Sequence, residues 1–405
     1  MRHSMLLARL AGGLWLAALL SACGGGGGGS GLSSPPPTVN NVAAVTVDSG
    51  PSNNSVNTLF VSVKFCVPGS TTNCLTVDHI QVDTGSYGLR VLSSAMTLNL
   101  PLQATTGGSL VECVPFVDGY SFGPVVTADI YIGGETAAGL PVQVIGDSRF
   151  PTVPSDCVSS TTGTAENTVA QFGANGILGI GPFAYDCGDL CAANVIAASY
   201  YTCNGAACNG VTAPLTQQVQ SPIMHFTTDN NGAILQLPTV AATGAATVTG
   251  SLIFGIDTES NNASGTETVL TVDNQAYVTV GYNGQSLTQS FLDSGSDGTF
   301  FNDSSLTACT QSGITSFYCP ATTQSLTATI TGANSITATQ DFSVGNANTQ
   351  LSANPTFSAF PELAGAYPGT TSTFDFGLPF FYGKRVAVAL EGSITMAGTG
   401  PYFAF

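Results

Sequence analysis

Apolar residues in this chain fall in short runs, not in long periodic stretches. Leu59 to Phe65, Val125 to Ile132, Leu140 to Ile145, Leu252 to Ile256, Tyr277 to Val280 and Val386 to Leu390 are cut off by Gly, Asn, Ser or Pro. Such runs predict β-strands joined by turns. Helical periodicity is scarce; Asn194 to Tyr200 is the one stretch read as a helical turn. A low-complexity Ala/Thr/Gly segment, Val240 to Gly250, reads as the connection between two halves. The halves echo each other. Each has an apolar run that ends in Asp, a hydroxyl residue, Gly and Ser: His79 to Ser86 in the first, Ser290 to Ser296 in the second. The copies lie 210 residues apart, a period that implies duplication of a lobe and not a solenoid.

Composition narrows the class. Of 405 residues only 8% are charged, yet 24 acidic against 7 basic residues leave a net charge of −17. With 43% hydrophobic residues the chain can bury a core, unlike a disordered acidic tail. Clustered Lys and Arg are lacking, so nucleic acid is excluded as a partner. Thr, Ser, Val, Gly and Asn outweigh the residues that fill helical surfaces, which favours an all-β chain.

The first residues read as an address. Arg2 and Arg9 form a basic n-region, and Leu10 to Leu20 is an apolar core too short for a membrane span. Leu20-Ser21-Ala22-Cys23 resembles the bacterial lipobox, which implies acylation of Cys23 and removal of residues 1–22. Gly24 follows, which resembles the outer-membrane default. Several acyl chains anchor stably where one does not. Six glycines and Ser33 to Pro37 make residues 23–40 a tether with a stiffer end, too short for an inhibitory pro-segment. The expected location is the bacterial cell envelope, lipid-anchored at the outer membrane. Ten of the 11 cysteines remain after Cys23, in local groups, which in an oxidising compartment predicts up to five disulfides of undefined pairing. Cys187, Cys191, Cys203 and Cys208 are also open to a zinc reading, but they contain no Cys-x-x-Cys pair.

One Asp-Thr-Gly-Ser is an ordinary strand-ending turn. Two copies a lobe apart carry a chemistry that needs both. Two carboxyls held close cannot both ionise, so an acid and a base coexist. The base activates water and the acid protonates the carbonyl under attack. Asp83 and Asp293 are the candidate dyad. Gly85 and Gly295 permit the tight turn, and Thr84, Ser86, Ser294 and Ser296 supply hydroxyls to orient it. No phosphate loop, dinucleotide fingerprint or Gly-x-Ser-x-Gly elbow occurs, and no cofactor is expected. No metal is expected either, since the mature chain keeps only His79 and His225, and His79 reads as a packed or loop residue.

With these motifs the chain resembles the pepsin-like aspartic proteases over roughly residues 40–405. Gly176 to Gly181 and Phe376 to Phe381 look like that family's segments crossing behind the two active-site loops. Gly250 to Asp257 resembles its passage between lobes, and Gly119 to Gly123 stands where its flap lies. The resemblance implies a bilobal, all-β acid-protease fold of two barrel-like lobes, 41–249 and 250–405. It also implies Tyr120 as flap residue and a peptide or protein substrate. Asp229-Asn230-Asn231-Gly232, Ile234 to Pro238 and Gly377 to Gly383 resemble, more narrowly, a bacterial domain of unknown function, number 3443. Where the protease family has a Trp that holds the flap Tyr, this chain has Arg90, expected near the cleft and to favour ionised dyad carboxylate. Tyr87 replaces a small residue, and Asp297 reads as a solvated loop acid beside the second motif. Two functions follow: an envelope-anchored aspartic endopeptidase, or a catalytically inactive surface lipoprotein that binds peptide, protein or glycan in the same cleft.

Overall fold

The structure, a computed structural model, describes residues 40–405 apart from 118, 161–162 and 370–371. The leader, Cys23 and the tether lie outside the described residues. The first strand, β1 (Val42–Val47), shows the two-residue period plainly: Ala43, Val45 and Val47 are buried while Ala44 faces solvent. It pairs antiparallel with β2 (Leu59–Cys66), which pairs with β3 (Cys74–Asp83), so the apolar run of β3 delivers Asp83 at its end. After a tight turn comes β4 (Tyr87–Leu92). The strand Gly176–Ile180 then inserts between them. It runs parallel to β3, with Gly179 opposite Asp83, and antiparallel to β4, with Gly179 opposite Gly88. All five of its residues are buried, as a strand covered on both faces requires.

The second half repeats this arrangement. Val278–Tyr282 and Gln285–Leu292 form a hairpin whose turn residues, Asn283 and Gly284, both have positive φ, a backbone that Asn-Gly adopts readily. Gln285–Leu292 ends at Asp293 as β3 ends at Asp83. Phe374–Phe376 inserts between it (parallel, Leu292 opposite Phe376) and Thr299–Phe301 (antiparallel). The Asp293 N–H donates to Phe376 O at 2.9 Å, fixing that register.

Strands from both halves share one sheet. Its order is β2, β1, Val248–Phe254, Gly232–Gln236, Arg385–Ala389, Tyr402–Ala404 and Val269–Thr271. A single apolar core runs through both halves, from Val63, Val82 and Leu178 to Phe301, Phe374 and Val388. In the second half aromatic rings carry it, with Phe301 stacked on Phe374 at 4.6 Å. Buried Asn57 stitches the halves together. Its Nδ2 donates to Asp297 O and Phe360 O, and its Oδ1 accepts from Phe360 N and the Tyr382 hydroxyl, at 2.7 to 2.9 Å.

Ten cysteines form five disulfides: Cys66–Cys74, Cys113–Cys157, Cys187–Cys191, Cys203–Cys208 and Cys309–Cys319. The Cys187 to Cys208 group is thus two disulfides, with its sulfurs consumed. The expected helical turn at Asn194 to Tyr200 is corrected: the helix is Asp189–Ala193, and Tyr200–Asn204 is a strand. Tyr200 is drawn into the sheet by its pairing with Glu112. The segment Val240 to Gly250 is irregular only to Thr247, because Val248–Phe254 is already a strand.

Candidate active site

The two Asp-bearing turns are fastened to each other by four reciprocal hydrogen bonds. Thr84 Oγ1 donates to Leu292 O at 2.8 Å and accepts from the Ser294 N–H at 2.9 Å. Ser294 Oγ donates to Val82 O at 2.8 Å and accepts from the Thr84 N–H at 3.1 Å. Both side chains are buried, so each hydroxyl has its donor and acceptor satisfied by the opposite main chain. This cross-bonding brings Asp83 and Asp293 together. Gly85 N–H donates to Asp83 Oδ1 and Gly295 N–H to Asp293 Oδ1, each at 2.7 Å.

Glycine is obligatory in both turns for steric reasons. A Cβ on Gly85 would stand 2.7 Å from Asp293 Cγ, and one on Gly295 would stand 2.7 Å from Asp83 Oδ1. Each turn therefore stands directly against the opposite carboxyl. Burial first, then the Asp83 charge, push the Asp293 carboxyl well above the usual carboxylate range. Gly85 is exposed and Asp293 partly so, which leaves the pair open on one side.

The other predicted residues fall differently. Ser296 Oγ lies 3.1 Å from Asp293 Oδ2, as an orienting hydroxyl should. Its counterpart is corrected: Ser86 Oγ is buried and has no hydrogen-bond partner, so it does not orient Asp83. Arg90 is fully buried, but its charge goes elsewhere. Nη2 binds Glu112 at 2.8 Å and Asp186 at 3.1 Å, and Nη1 donates to Tyr87 O at 2.5 Å. The expectation that it favours ionised dyad carboxylate is therefore corrected; two carboxylates already claim it. Glu112 lies on the hairpin strand Gly108–Pro115, so this ion pair links the strand after Asp83 to the flap hairpin.

Tyr120 begins the return strand of that hairpin, Gly119–Ile132, opposite Pro115. Its ring is packed with Val111, Phe122, Phe150 and Tyr201 around the Cys113–Cys157 disulfide. The aromatic hydroxyls that feel the dyad charge are Tyr87 and Tyr367, each raised chiefly by burial and further by Asp293. Phe183 packs on Tyr87 at 5.4 Å, and Phe291 lies between Tyr277 and Tyr367. Asp375, a residue that sequence reasoning missed, is the buried acid behind the second motif. Its Oδ2 is 2.6 Å from Ser296 Oγ. It directly precedes the expected crossing segment, Phe376 to Phe381, which is the one sequence signal near it. Asp297 is half-exposed in its loop. His79 lies 3.4 Å from Asp48 and edge-on to Phe60. Among the described residues no group of three or more His, Cys, Asp or Glu is placed to hold a metal, and no helix is long and apolar enough to cross a membrane.

Two crossed, inserted strands behind two cross-bonded Asp turns define a pepsin-like fold. The solved structures agree: an aspartic proteinase from Irpex lacteus matches with a TM-score of 0.51 at 16% identity, covering 90% of this chain and 96% of that one. At that identity the match establishes the fold alone. The chain itself belongs to the family described as "Protein of unknown function (DUF3443)", whose model matches residues 37–405. No curated protein matches it.

Proposed function

We propose that this protein is an envelope-anchored aspartic endopeptidase. The observation that carries the reading is the pair of Asp turns, cross-bonded through Thr84 and Ser294 so that Gly85 lies against the Asp293 carboxyl and Gly295 against that of Asp83. Such a pair keeps one proton between two oxygens at acidic pH. The ionised member takes a proton from water as the water oxygen bonds to the scissile carbonyl carbon. The neutral member gives its proton to the carbonyl oxygen. When the tetrahedral intermediate collapses, the C–N bond breaks, the proton held by the dyad passes to the leaving amine, and one hydroxyl of the intermediate returns its proton to the other carboxyl as the carbonyl re-forms. The half-exposed rings of Tyr87, Phe183 and Phe291 offer apolar surface to a bound peptide. Cys23 is the proposed lipidation site at the outer membrane.

Purified mature protein incubated with a mixed peptide library from about pH 3 to 7 tests the reading, since a shared-proton dyad works in acid. Cleavage is expected to vanish in Asp83→Asn and in Asp293→Asn and to be blocked by pepstatin. Cleavage that survives either substitution, or is absent at every pH, refutes it. Cys23→Ala is expected to release the protein from the membrane fraction, and retention there refutes the anchor. The second reading, a silent cleft that binds peptide, protein or glycan, is favoured by the packing of Tyr120 into its own cluster. Saturable peptide binding by a protein that never cleaves would establish it.

A further inference from the structure

Ser296 has one hydroxyl hydrogen and two carboxyl neighbours. Its Oγ lies 2.6 Å from Asp375 Oδ2 and 3.1 Å from Asp293 Oδ2. A hydroxyl donates once, so the second contact is a hydrogen bond only if one of the two carboxyls carries a proton and donates it to Ser296 Oγ. The surroundings decide which. Asp293 Oδ1 already accepts the Gly295 N–H, and the residue is partly exposed. Asp375 is 3% exposed, and its Oδ1 is buried without any partner. It lies on Phe374–Phe376, with Phe291 opposite it on one flanking strand and Phe300 on the other. An ionised carboxylate there would strand a charged oxygen among aromatic rings, whereas the carbonyl of a neutral acid costs far less.

We propose that Asp375 is a third acid of the site and a positioning residue. It is held neutral, donates its proton to Ser296 Oγ, and so commits the Ser296 hydrogen to Asp293 Oδ2. The inference rests on reading Asp83 and Asp293 as the peptidase dyad. The groups that face Asp375 reinforce its neutrality. Asp83 and Asp297 are negative neighbours, and no cation faces it among the described residues; Asp293 and Tyr367 feel its charge in turn. Burial first, with those charges, outweighs the opposing effect of the Ser296 contact and raises its carboxyl well above the usual range. Loss of its proton at higher pH would turn the Ser296 hydrogen toward Asp375 and away from Asp293. The dyad would lose a donor and gain a negative neighbour in the same step.

Two readouts test this. Infrared difference spectra of the intact protein at about pH 5, well below a raised carboxyl, should show a carboxylic-acid C=O band that Asp375→Asn removes. Ser296→Ala, which leaves Asp375 in place without its acceptor, should shift the same band. No difference between wild type and Asp375→Asn overturns the proposal, and so does a Ser296→Ala band that stays put. In the peptidase assay Asp375→Asn keeps a neutral donor facing Ser296. Activity at acidic pH should stay within about threefold of wild type, and the upper limb of kcat/KM against pH should move up by about one unit. Loss of activity comparable to Asp293→Asn, or an upper limb that does not move, overturns it. A wild type that cleaves nothing defeats the peptidase reading alone, because the infrared result still decides the state of Asp375.

Discussion

Replacing Arg90 by Met removes one of the few cations in the protein from its most enclosed position. The guanidinium is 1% exposed, between Glu112, also 1% exposed, and Asp186. Methionine fills much of the volume, so the loss is electrostatic. Breaking a buried pair by deleting one partner costs about 3–5 kcal/mol, because the remaining charge has no counter-ion. Here Glu112 loses its counter-ion, while Asp186, already raised by burial and by the Glu112 charge, keeps the Tyr200 hydroxyl 2.9 Å from both its oxygens. The deficit should depend on pH. At neutral pH the variant must either bury unpaired charge or take up protons, and each pH unit of uptake costs about 1.4 kcal/mol. At about pH 4 protons are available and roughly half of the loss should be recovered. Guanidinium unfolding at both pH values, with disulfides intact, measures this. The link to Glu112 predicts in addition that the flap hairpin loses amide-exchange protection before the rest of the sheet. A loss below about 1 kcal/mol at neutral pH, or one equal at both pH values, would refute the claim that Arg90 is a buried counter-ion.

Stability should fall as pH rises from about 4.5 to 7. Glu135 is raised to about 7, first by burial and then by its hydrogen bond to Asp229, and Asp293, Asp375 and Asp186 are raised too. For such acids the folded state holds protons that the unfolded chain releases, so the advantage is full at low pH and lost through the folded value. Glu135→Gln should flatten that slope in a pH series of unfolding curves; an unchanged slope rejects the assignment. Asn57→Leu strands the Phe360 N–H and the Tyr382 hydroxyl. It should cost about 2–4 kcal/mol by thermal unfolding, and a neutral result would mean the two halves do not depend on it. Gly85→Ala forces a Cβ against the Asp293 carboxyl. It should abolish the proposed peptidase activity while the fold persists by circular dichroism; activity equal to wild type would show that the turn relaxes at no cost.

Much of this protein is legible in its sequence because its signals are local. An alternating strand such as β1 announces which face is buried, and a turn such as Asn283-Gly284 announces its backbone. The two Asp motifs could be paired from sequence because duplication wrote them twice in the same words. The ten cysteines after Cys23 foretold disulfides, and each then paired with its neighbour along the chain. Other features depend on what a side chain meets across the fold. Arg90 was placed beside the right motif, but its partners Glu112 and Asp186 arrive from a hairpin and a loop that the sequence around Arg90 does not mention. Tyr120 lies in the flap hairpin, yet its ring goes where the Cys113–Cys157 cluster has room. Ser86 and Ser296 occupy matching positions in two copies of one motif, and only Ser296 binds a carboxyl.

The sequence by itself determined the strand pattern, the doubled motif and the acidic balance, because each is set by residue type and spacing. The tertiary structure alone decided which acids are solvated and which are buried. Asp297 stands beside the second motif in sequence and lies half-exposed in its loop. Asp375 is 82 residues beyond Asp293 and becomes its near neighbour when Phe374–Phe376 inserts beside Gln285–Leu292. Charge and protonation depend on distance and burial, and those exist only once the chain has crossed itself.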